Sequence, residues 1–303
     1  MPTSLVLIFL SLLGLETLVA SLGNGFIIFM ICIAWIKSRK MSSCELILTS
    51  LSISRFLLQL VVMVSNFIYI FSPSTSTLGC KHKTFGVVWA YLNILSLWCA
   101  TWLTVFYSIK IARFTQPLLL WLKLRIAWLV PRLLLGSLAV SFISSIPLVW
   151  SDVGFDFCNS TKSPERNITL NDAKNIPYFY FMPMQIFMSA IPFIIFLVSS
   201  ILLLTSLWKH TQKMKNNVSG IEDPSMEAHI NAMKSLLSFF ILFIIYFVTL
   251  IIILTNIIPF QNPARLPYEV LLSAYPSAHP IVLVLTNPKL KQVSIFFSML
   301  FLG

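Results

Sequence analysis

Charged side chains are scarce in this sequence, and acidic ones are the scarcest. Asp and Glu together account for 10 of the 303 residues, and all charged residues make up 10% of the chain. A soluble domain usually carries about a quarter charged residues. With hydrophobic residues at 57%, the chain has too little polar surface for a soluble globular protein. The formal net charge of +11 would indicate nucleic acid binding in a soluble chain, but here the charges fall between long apolar segments.

Side chains typical of enzyme active sites are also few and scattered. There is no Gly-rich phosphate loop, no HExxH and no paired-cysteine metal motif, and the 4 histidines are spread along the chain. The acids in or beside the apolar segments are Glu16, Glu45 and Glu269, which are too few to form the polar path of a transporter or proton pump. We therefore expect no enzymatic activity, no cofactor and no metal.

Seven long apolar segments are present instead. Each has roughly 20 residues or more, enough to cross the hydrocarbon core as a helix, and none alternates as the strands of a membrane barrel do. We predict an all-α membrane protein, with residues 1–303 forming a single seven-transmembrane helix bundle and the first helix retained. The predicted spans are 5–35, 46–71, 84–109, 126–150, 178–208, 236–258 and 267–286.

The distribution of Lys and Arg between the segments predicts the orientation. An odd number of crossings puts the two termini on opposite sides of the membrane, and the side richer in Lys and Arg is cytoplasmic. Six of these residues fall on one side: Lys81, Lys83, Lys162, Arg166, Lys174 and Arg265. Thirteen fall on the other: Lys37, Arg39, Lys40, Lys110, Arg113, Lys123, Arg125, Lys209, Lys213, Lys215, Lys234, Lys289 and Lys291. We therefore expect a plasma-membrane protein with an extracellular amino terminus and a cytoplasmic carboxyl terminus.

The predicted outer loops carry sites for covalent modification. Asn159 and Asn167 each begin an N-glycosylation acceptor sequence in the loop after the fourth segment, which the charge distribution places outside. Cys80 and Cys158 also lie outside, where disulfides persist. The sequence leaves open whether these two cysteines are bonded, because it does not give their distance.

Arg55 lies in the middle of the second apolar segment. A charge at that depth costs at least about 2.5–3.5 kcal/mol, so we expect the side chain to face the bundle and find acceptors. We predict hydrogen bonds to backbone carbonyls of the seventh helix near Pro280, and to the side chain of Asn24. A purely structural clamp remains the alternative to a role in switching.

Several short strings, in order along the chain, resemble the bitter taste receptors, the taste receptor type 2 family of G protein-coupled receptors. No single string is specific, but their order and their positions on the predicted helices are. The resemblance runs from residue 24 to residue 291, nearly the whole chain. The strings are LSISR at 51–55, FYSIKIARF at 106–114, WLKLR at 121–125, TSLWKHTQKM at 205–214, DPS at 223–225, AHINAMK at 228–234, YPSAHP at 275–280 and NPKLK at 287–291.

The resemblance implies a receptor that binds bitter small molecules in an outer transmembrane cavity and activates a heterotrimeric G protein of the gustducin type. A related chemosensory receptor of the vomeronasal pheromone type is the alternative, and a membrane transporter is a more distant one. Other rhodopsin-like receptors place a sodium-binding acid where this chain has Arg55, so no sodium site is expected. The resemblance also puts Tyr246 at a switch position below the cavity, although a core tyrosine is the alternative, with His279 in the same network as Pro280.

Four residues are candidates for the outer cavity. Trp89 and Asn93 are four residues apart, so they share one face of the third helix, and they combine a broad apolar surface with a polar group. By resemblance these two positions and Glu269 contact ligands. A packing Trp, an interhelical Asn hydrogen bond and a helix-end pair of Glu269 with Arg265 are the alternatives. Phe67 is a further candidate wall.

The cytoplasmic surface is predicted to be basic. Its candidate G protein contacts are Tyr107, Lys110, Arg125, His210, Lys213 and Lys234. The positive-inside rule alone also explains most of this charge. The pair Asp223-Pro224 resembles a helix N-cap followed by Pro at the first helical position, which would start the sixth helix in the cytoplasm. Residues 288–302 are predicted to form a short interfacial helix on the inner membrane face.

Overall fold

The structure is a computed structural model that describes the backbone of residues 4–71, 75–111, 117–150, 170–217, 224–258 and 262–286. Side chains are described for 4–68, 84–111, 120–148, 181–212, 230–258 and 262–283, except at positions 232 and 263. The regular structure within these ranges is entirely helical. This confirms the predicted all-α fold class.

The described chain forms seven α-helices and one short 3-10 helix. We number the α-helices in chain order: α1 is Ser4–Ser38, α2 Ser43–Phe71, α3 Thr75–Ile111, α4 Pro117–Trp150, α5 Leu170–Asn217, α6 Pro224–Leu254 and α7 Leu266–Thr286. The 3-10 helix, Pro263–Arg265, immediately precedes α7. The first six helices each contain a stretch long and apolar enough to cross a membrane. The seventh contains Pro276 and Pro280.

The interior and exterior of the bundle are reversed relative to a soluble protein. Large apolar side chains such as Leu22, Leu135 and Phe187 are more than 60% exposed on its outer surface. Polar side chains are buried within it, including Arg55 at 0% and Gln59 at 1% exposure. Hydrocarbon tails accept an apolar outer surface, whereas polar groups in a membrane protein turn to the bundle interior. The fold therefore matches a protein that crosses a bilayer several times.

Helix α3 lies at the centre of the bundle and packs against α2, α4 and α5. Helix α1 packs against α2 and α7, and α6 packs against α5 and α7. Residues of α3 consequently face most of the other helices. We call the end of the bundle where α1, α3, α5 and α7 terminate the basic end, because Lys37 and Lys110 lie in the last turns of α1 and α3 there. We call the other end of the bundle the opposite end.

The two ends of α6 differ in how closely they follow the sequence prediction. The helix begins at Pro224, as the Asp-Pro pair predicts, although Asp223 itself lies outside the described residues. At its other end it stops at Leu254, four residues before the predicted limit at 258. Asn256 adopts a left-handed backbone conformation with a φ of 50°, and a residue in that conformation commonly ends a helix. The apolar run continues past this point, so hydropathy alone does not show the end.

Candidate ligand and signalling site

A buried hydrogen bond joins α3 to α6 through Asn93 and Tyr246. The two residues are 1% and 3% exposed, and the Tyr246 hydroxyl donates to Oδ1 of Asn93. A buried polar group that loses its partner costs about 1–3 kcal/mol, so this bond favours one arrangement of the two helices. Nδ2 of Asn93 has no hydrogen-bond partner among the described residues. The interhelical bond left open by the sequence is therefore present, and one amide donor remains unused.

Trp89 lies one turn from Asn93 on α3. It is half-buried and packs against the hydrophobic core. At the same level, Nε2 of Gln185 on α5 donates to the backbone oxygen of Ala90 at 3.5 Å, while Oε1 of Gln185 has no partner within the described part of the chain. This level of the bundle thus combines an aromatic side chain with two unused amide atoms, a composition typical of small-molecule sites. Gln185 did not emerge from the sequence, where it is one polar residue in a long apolar run.

Glu269 pairs with Arg265 at the opposite end of the bundle. Nε of Arg265 lies 3.2 Å from Oε1 of Glu269, and both side chains are mostly buried. Nη1 of Arg265 also donates to Oδ1 of Asn256 at 3.1 Å and to the backbone oxygen of Ile258 at 3.4 Å. Arg265 therefore ties the end of α6 to the start of α7, and the ion pair considered from the sequence is present. A ligand contact by Glu269 stays a prediction.

Phe67 does not belong to the buried cluster around Asn93. Its side chain is 54% exposed on α2, whereas a residue that lines an enclosed cavity between helices is shielded by its neighbours. A role of Phe67 as a wall of the ligand cavity stays a prediction. In the sequence, Phe67 is one apolar residue in an apolar segment, so the pattern does not show whether its ring faces the bundle interior or the lipid.

Arg55 is completely buried, as expected, but its predicted partners are wrong. Its Nε donates to Oγ of Ser96 on α3 at 3.3 Å, and its guanidinium lies 4.6 Å above the ring of Tyr275 on α7. Asn24 instead donates to the backbone oxygen of Ala20 in its own helix, at 2.8 Å. The side chain of Arg55 points between α3 and α7. Its guanidinium therefore reaches the face of an aromatic ring and makes a favourable cation–π contact.

Pro280 lies close to α1. A Cβ atom added to Gly23 would lie 2.9 Å from Cβ of Pro280 and 3.0 Å from its Cγ. Such separations are below normal van der Waals contact, so only a glycine fits here without movement of the helices. The close approach of α1 and α7 at this point resembles the small-residue contacts that membrane helices use to pack.

A second polar bridge joins α2 to α7 through Gln59. Its Nε2 donates to the backbone oxygen of Ser273 at 3.2 Å and to Oγ of Ser277 at 2.6 Å. Gln59 lies one turn from Arg55 on α2, so the two residues share a face. This bridge was missed in the sequence, although that four-residue spacing to a buried Arg is a usable signal.

His279 is buried in an aromatic cluster between α6 and α7. Its ring centroid lies 4.5 Å from that of Phe239 and 6.2 Å from that of Tyr275. The ring centroid of Phe243 lies 5.1 Å from that of Tyr275, and the two rings are edge to face. Aromatic pairs at these separations stabilise a fold beyond the contribution of their buried apolar area. His279 therefore contributes to the packing of α6 against α7.

The candidate residues of the basic end are arranged around the helix termini. Tyr107 is half-buried, and its hydroxyl lies 3.4 Å from Sγ of Cys44 on α2. The ammonium of Lys110 lies 4.9 Å from the ring of Phe106, and the guanidinium of Arg125 lies 5.3 Å from the ring of Trp121. The side chains of His210 and Lys234 are exposed. The side chain of Lys213 lies outside those that the structure describes.

A cavity of about 360 Å³ lies between α3, α5, α6 and α7 on the side of the basic end. Tyr275 and His279 line it toward the bundle centre, and Tyr107 and Ile111 line it toward the basic end. A second groove of about 300 Å³, between α2, α3 and α4, includes Tyr91 and Cys99. The first cavity lies between Tyr246 and the basic end, on the side away from Trp89.

Several sequence predictions fall outside the described residues. They concern the glycosylation sites Asn159 and Asn167, Cys158, and the interfacial helix at 288–302. The backbone of Cys80 lies in α3, but its side chain is not among those described. The predicted modifications and the disulfide therefore stay predictions.

The bundle has the fold of a rhodopsin-like receptor. It matches the crystal structure of squid rhodopsin with a TM-score of 0.60, over 97% of this chain and 87% of that one. The identity is 14%, so this similarity shows the fold alone. The described helices therefore have the seven-helix membrane-protein fold of rhodopsin.

Sequence comparison gives the family within that class. The model of the family Taste receptor protein (TAS2R) matches residues 1–300. Taste receptor type 2 member 41 of Pan troglodytes is 37% identical over 293 residues, which cover 97% of this chain and 95% of that protein. Taste receptor type 2 member 7 of Rattus norvegicus is 38% identical over 283 residues, covering 92% and 90%. The chain therefore belongs to the taste receptor type 2 family, and it is a bitter-taste G protein-coupled receptor and not an enzyme.

Proposed function

We propose that this receptor binds bitter small molecules in a cavity at the level of Trp89 and Asn93, with Glu269 at its rim. In the proposed orientation the amino terminus is extracellular and the basic end faces the cytoplasm. There the receptor activates a heterotrimeric G protein of the gustducin type. The observation that carries this proposal is the bond between Asn93 and Tyr246, because it couples a candidate ligand contact on α3 directly to α6.

The chemistry around Asn93 supports ligand binding. The half-buried Trp89 offers an aromatic surface, and Oε1 of Gln185 is an acceptor without a partner among the described residues. Oδ1 of Asn93 can accept from a ligand in place of Tyr246. Ligand pockets are mostly apolar with a few placed polar groups, and a ligand that donates to Gln185 removes the cost of leaving that oxygen buried and unpaired. A varied set of small amphipathic molecules fits this description.

The coupling to α6 supports signal transfer toward the basic end. A ligand that takes the place of Tyr246 on Asn93 weakens the link between α3 and α6. Such a ligand shifts a two-state equilibrium by its difference in affinity for the two states. The aromatic cluster that connects Phe239 to His279 and the cavity beneath it lie between Tyr246 and the basic end, so movement of α6 would reshape the proposed G protein site.

The first experiment expresses the receptor with a promiscuous or gustducin-type G protein and records intracellular calcium against a broad panel of bitter compounds. We expect saturable responses to some compounds, and none in cells that lack the receptor. Surface immunolabelling of an amino-terminal tag on intact cells checks both expression and the proposed orientation. Silence across the panel from a well-expressed receptor would contradict the proposed function.

Replacement of Trp89 by Ala should lower agonist potency without lowering the amount of receptor at the surface. Buried Trp residues in binding sites commonly contribute about 2 kcal/mol or more, which corresponds to a loss of potency of roughly 30-fold. Concentration–response curves for several agonists measure the change. Trp35→Ala is the matched control, because Trp35 is 46% exposed on α1 and should leave potency unchanged. Unaltered potency of Trp89→Ala for all agonists would remove Trp89 from the site.

A further inference from the structure

The guanidinium of Arg55 has hydrogen-bonding capacity that the described residues leave unused. Its side chain is 0% exposed, and Nη1 and Nη2 have no hydrogen-bond partner among the described residues. Removing one side of a buried ion pair is strongly destabilising because it leaves a charge uncompensated. A buried guanidinium with two free nitrogens therefore calls for a further acceptor, preferably a negative one.

No acidic side chain in the described part of the chain supplies that acceptor. Of the three described acids, Glu269 pairs with Arg265, and Glu45 accepts a hydrogen bond from the backbone nitrogen of Ser42 at 2.7 Å. The third, Glu16, lies in α1 and forms no ion pair with Arg55. The positive charge of Arg55 is thus not balanced by a carboxylate in these residues.

A second unused donor lies in the same region of the bundle. Nδ2 of Asn93 has no partner in the described residues, and Asn93 is three residues from Ser96, the acceptor of the Arg55 Nε. Positions three apart share a face of a helix. Across the bundle, Arg55 lies over the ring of Tyr275, whose centroid is 5.3 Å from that of Tyr246, the partner of Asn93. Arg55 and Asn93 are therefore linked through Ser96 on one side and through Tyr275 and Tyr246 on the other, in the interior between α2, α3, α6 and α7.

The surrounding groups favour a small monovalent anion. Three free N–H-bearing nitrogens and one formal positive charge match a single negative charge, while the aromatic walls formed by Tyr246 and Tyr275 disfavour a strongly hydrated divalent anion. The cavity of about 360 Å³ shares Tyr275 with this region and extends from there toward the basic end. Exposed cations at that end, among them Lys110 and Lys234, raise the local concentration of anions.

We propose that Arg55 and Asn93 bind a chloride ion at the centre of the bundle. The ion accepts hydrogen bonds from Nη1 and Nη2 of Arg55 and from Nδ2 of Asn93, and it balances the charge of Arg55. Because the site is contributed by α2 and α3 and closed by α6 and α7, an ion bound there stabilises the packed bundle. Binding to the folded state alone raises stability in proportion to the occupancy of the site.

The test measures thermal unfolding of the purified full-length receptor in lipid nanodiscs. Sodium chloride is compared with sodium gluconate at equal ionic strength, so that screening of surface charges is constant. We expect the melting temperature to rise by about 2–4 °C in chloride, and bromide to replace chloride. Equal melting temperatures in chloride and gluconate would overturn the proposal, since water alone would then satisfy the free donors.

One variant and one matched control locate the chloride-dependent shift. Arg55→Gln should remove the chloride-dependent shift, whereas Arg132→Gln should retain it, because Arg132 is an exposed residue of α4 whose Nη1 donates to the backbone oxygen of Trp128. A shift that persists in Arg55→Gln would contradict the site.

Asn93→Asp keeps the test decisive if Arg55→Gln does not fold. The new carboxylate retains an acceptor for Tyr246 and supplies a negative charge in the same part of the bundle as Arg55. We expect this variant to melt at the same temperature in chloride and in gluconate, because the carboxylate takes the place of the ion. Chloride sensitivity equal to that of the wild-type receptor would overturn the proposal.

Discussion

Replacement of Gly23 by Val is expected to remove most of the folded receptor from the cell surface. A Cβ at this position would lie 2.9 Å from Cβ and 3.0 Å from Cγ of Pro280, and the proline ring is held by its own backbone and cannot rotate away. The larger side chain must therefore push α1 away from α7. Overpacking of this kind costs about 1–3 kcal/mol or more. Surface immunolabelling and the melting temperature of the purified protein measure the loss.

Gly25→Val is the matched control for this prediction. Gly25 lies two residues away on the same helix, and a Cβ added there meets no atom within 4 Å. Both variants change a glycine of α1 to the same β-branched residue, so their helix propensities change equally. We expect near wild-type surface levels for Gly25→Val. Equal losses in the two variants would mean that propensity, and not the contact with Pro280, determines the outcome.

Replacement of Tyr246 by Phe should raise basal signalling and lower thermal stability. The change removes the hydroxyl that donates to Asn93 and leaves the Asn93 amide with neither of its polar atoms bonded. An unsatisfied buried acceptor costs about 1–3 kcal/mol, and each 1.4 kcal/mol is worth about tenfold in an equilibrium. Because the lost bond joins α3 to α6, we expect the equilibrium to shift toward an arrangement with α6 displaced. Basal calcium or nucleotide-exchange activity without agonist measures this shift.

Tyr91→Phe controls for the loss of a tyrosine hydroxyl. Tyr91 is on α3, two residues from Asn93, and lines the groove between α2 and α4. It should leave basal activity at the wild-type level. A double-mutant comparison of Asn93→Ala and Tyr246→Phe adds a second check, since residues in direct contact show non-additive effects. Strict additivity, or unchanged basal activity in Tyr246→Phe, would contradict a coupling role for the bond.

The general fold could be predicted from the sequence because it depends on a pattern that local composition expresses. Apolar segments of sufficient length form membrane helices, and the polar residues among them turn inward. The seventh helix was predicted in spite of Pro276 and Pro280, and α7 contains both. The end of α6 was not predicted, because the left-handed conformation of Asn256 interrupts a segment that remains apolar beyond it.

The internal contacts were harder to predict than the helices. The burial of Arg55 follows from its cost in lipid, but the choice of Ser96 and Tyr275 as its neighbours depends on the rotation of α2 and α3 relative to α7. Sequence gives no direct measure of that rotation. For the same reason the roles of Gln59 and Gln185 were missed, whereas Arg265 and Glu269, which are four residues apart on one helical turn, could be paired in advance.

The most direct test of ligand-driven signalling uses the purified receptor reconstituted in nanodiscs with a purified gustducin-type heterotrimer. Agonist-stimulated exchange of guanine nucleotide on the G protein is measured in the absence of any other cellular component. We expect agonists active in cells to accelerate exchange with the wild-type receptor, and with Trp89→Ala only at roughly 30-fold higher concentrations. Agonists that bind the reconstituted receptor without accelerating exchange, or that act equally on Trp89→Ala, would contradict a receptor that couples the Trp89 and Asn93 site to a G protein.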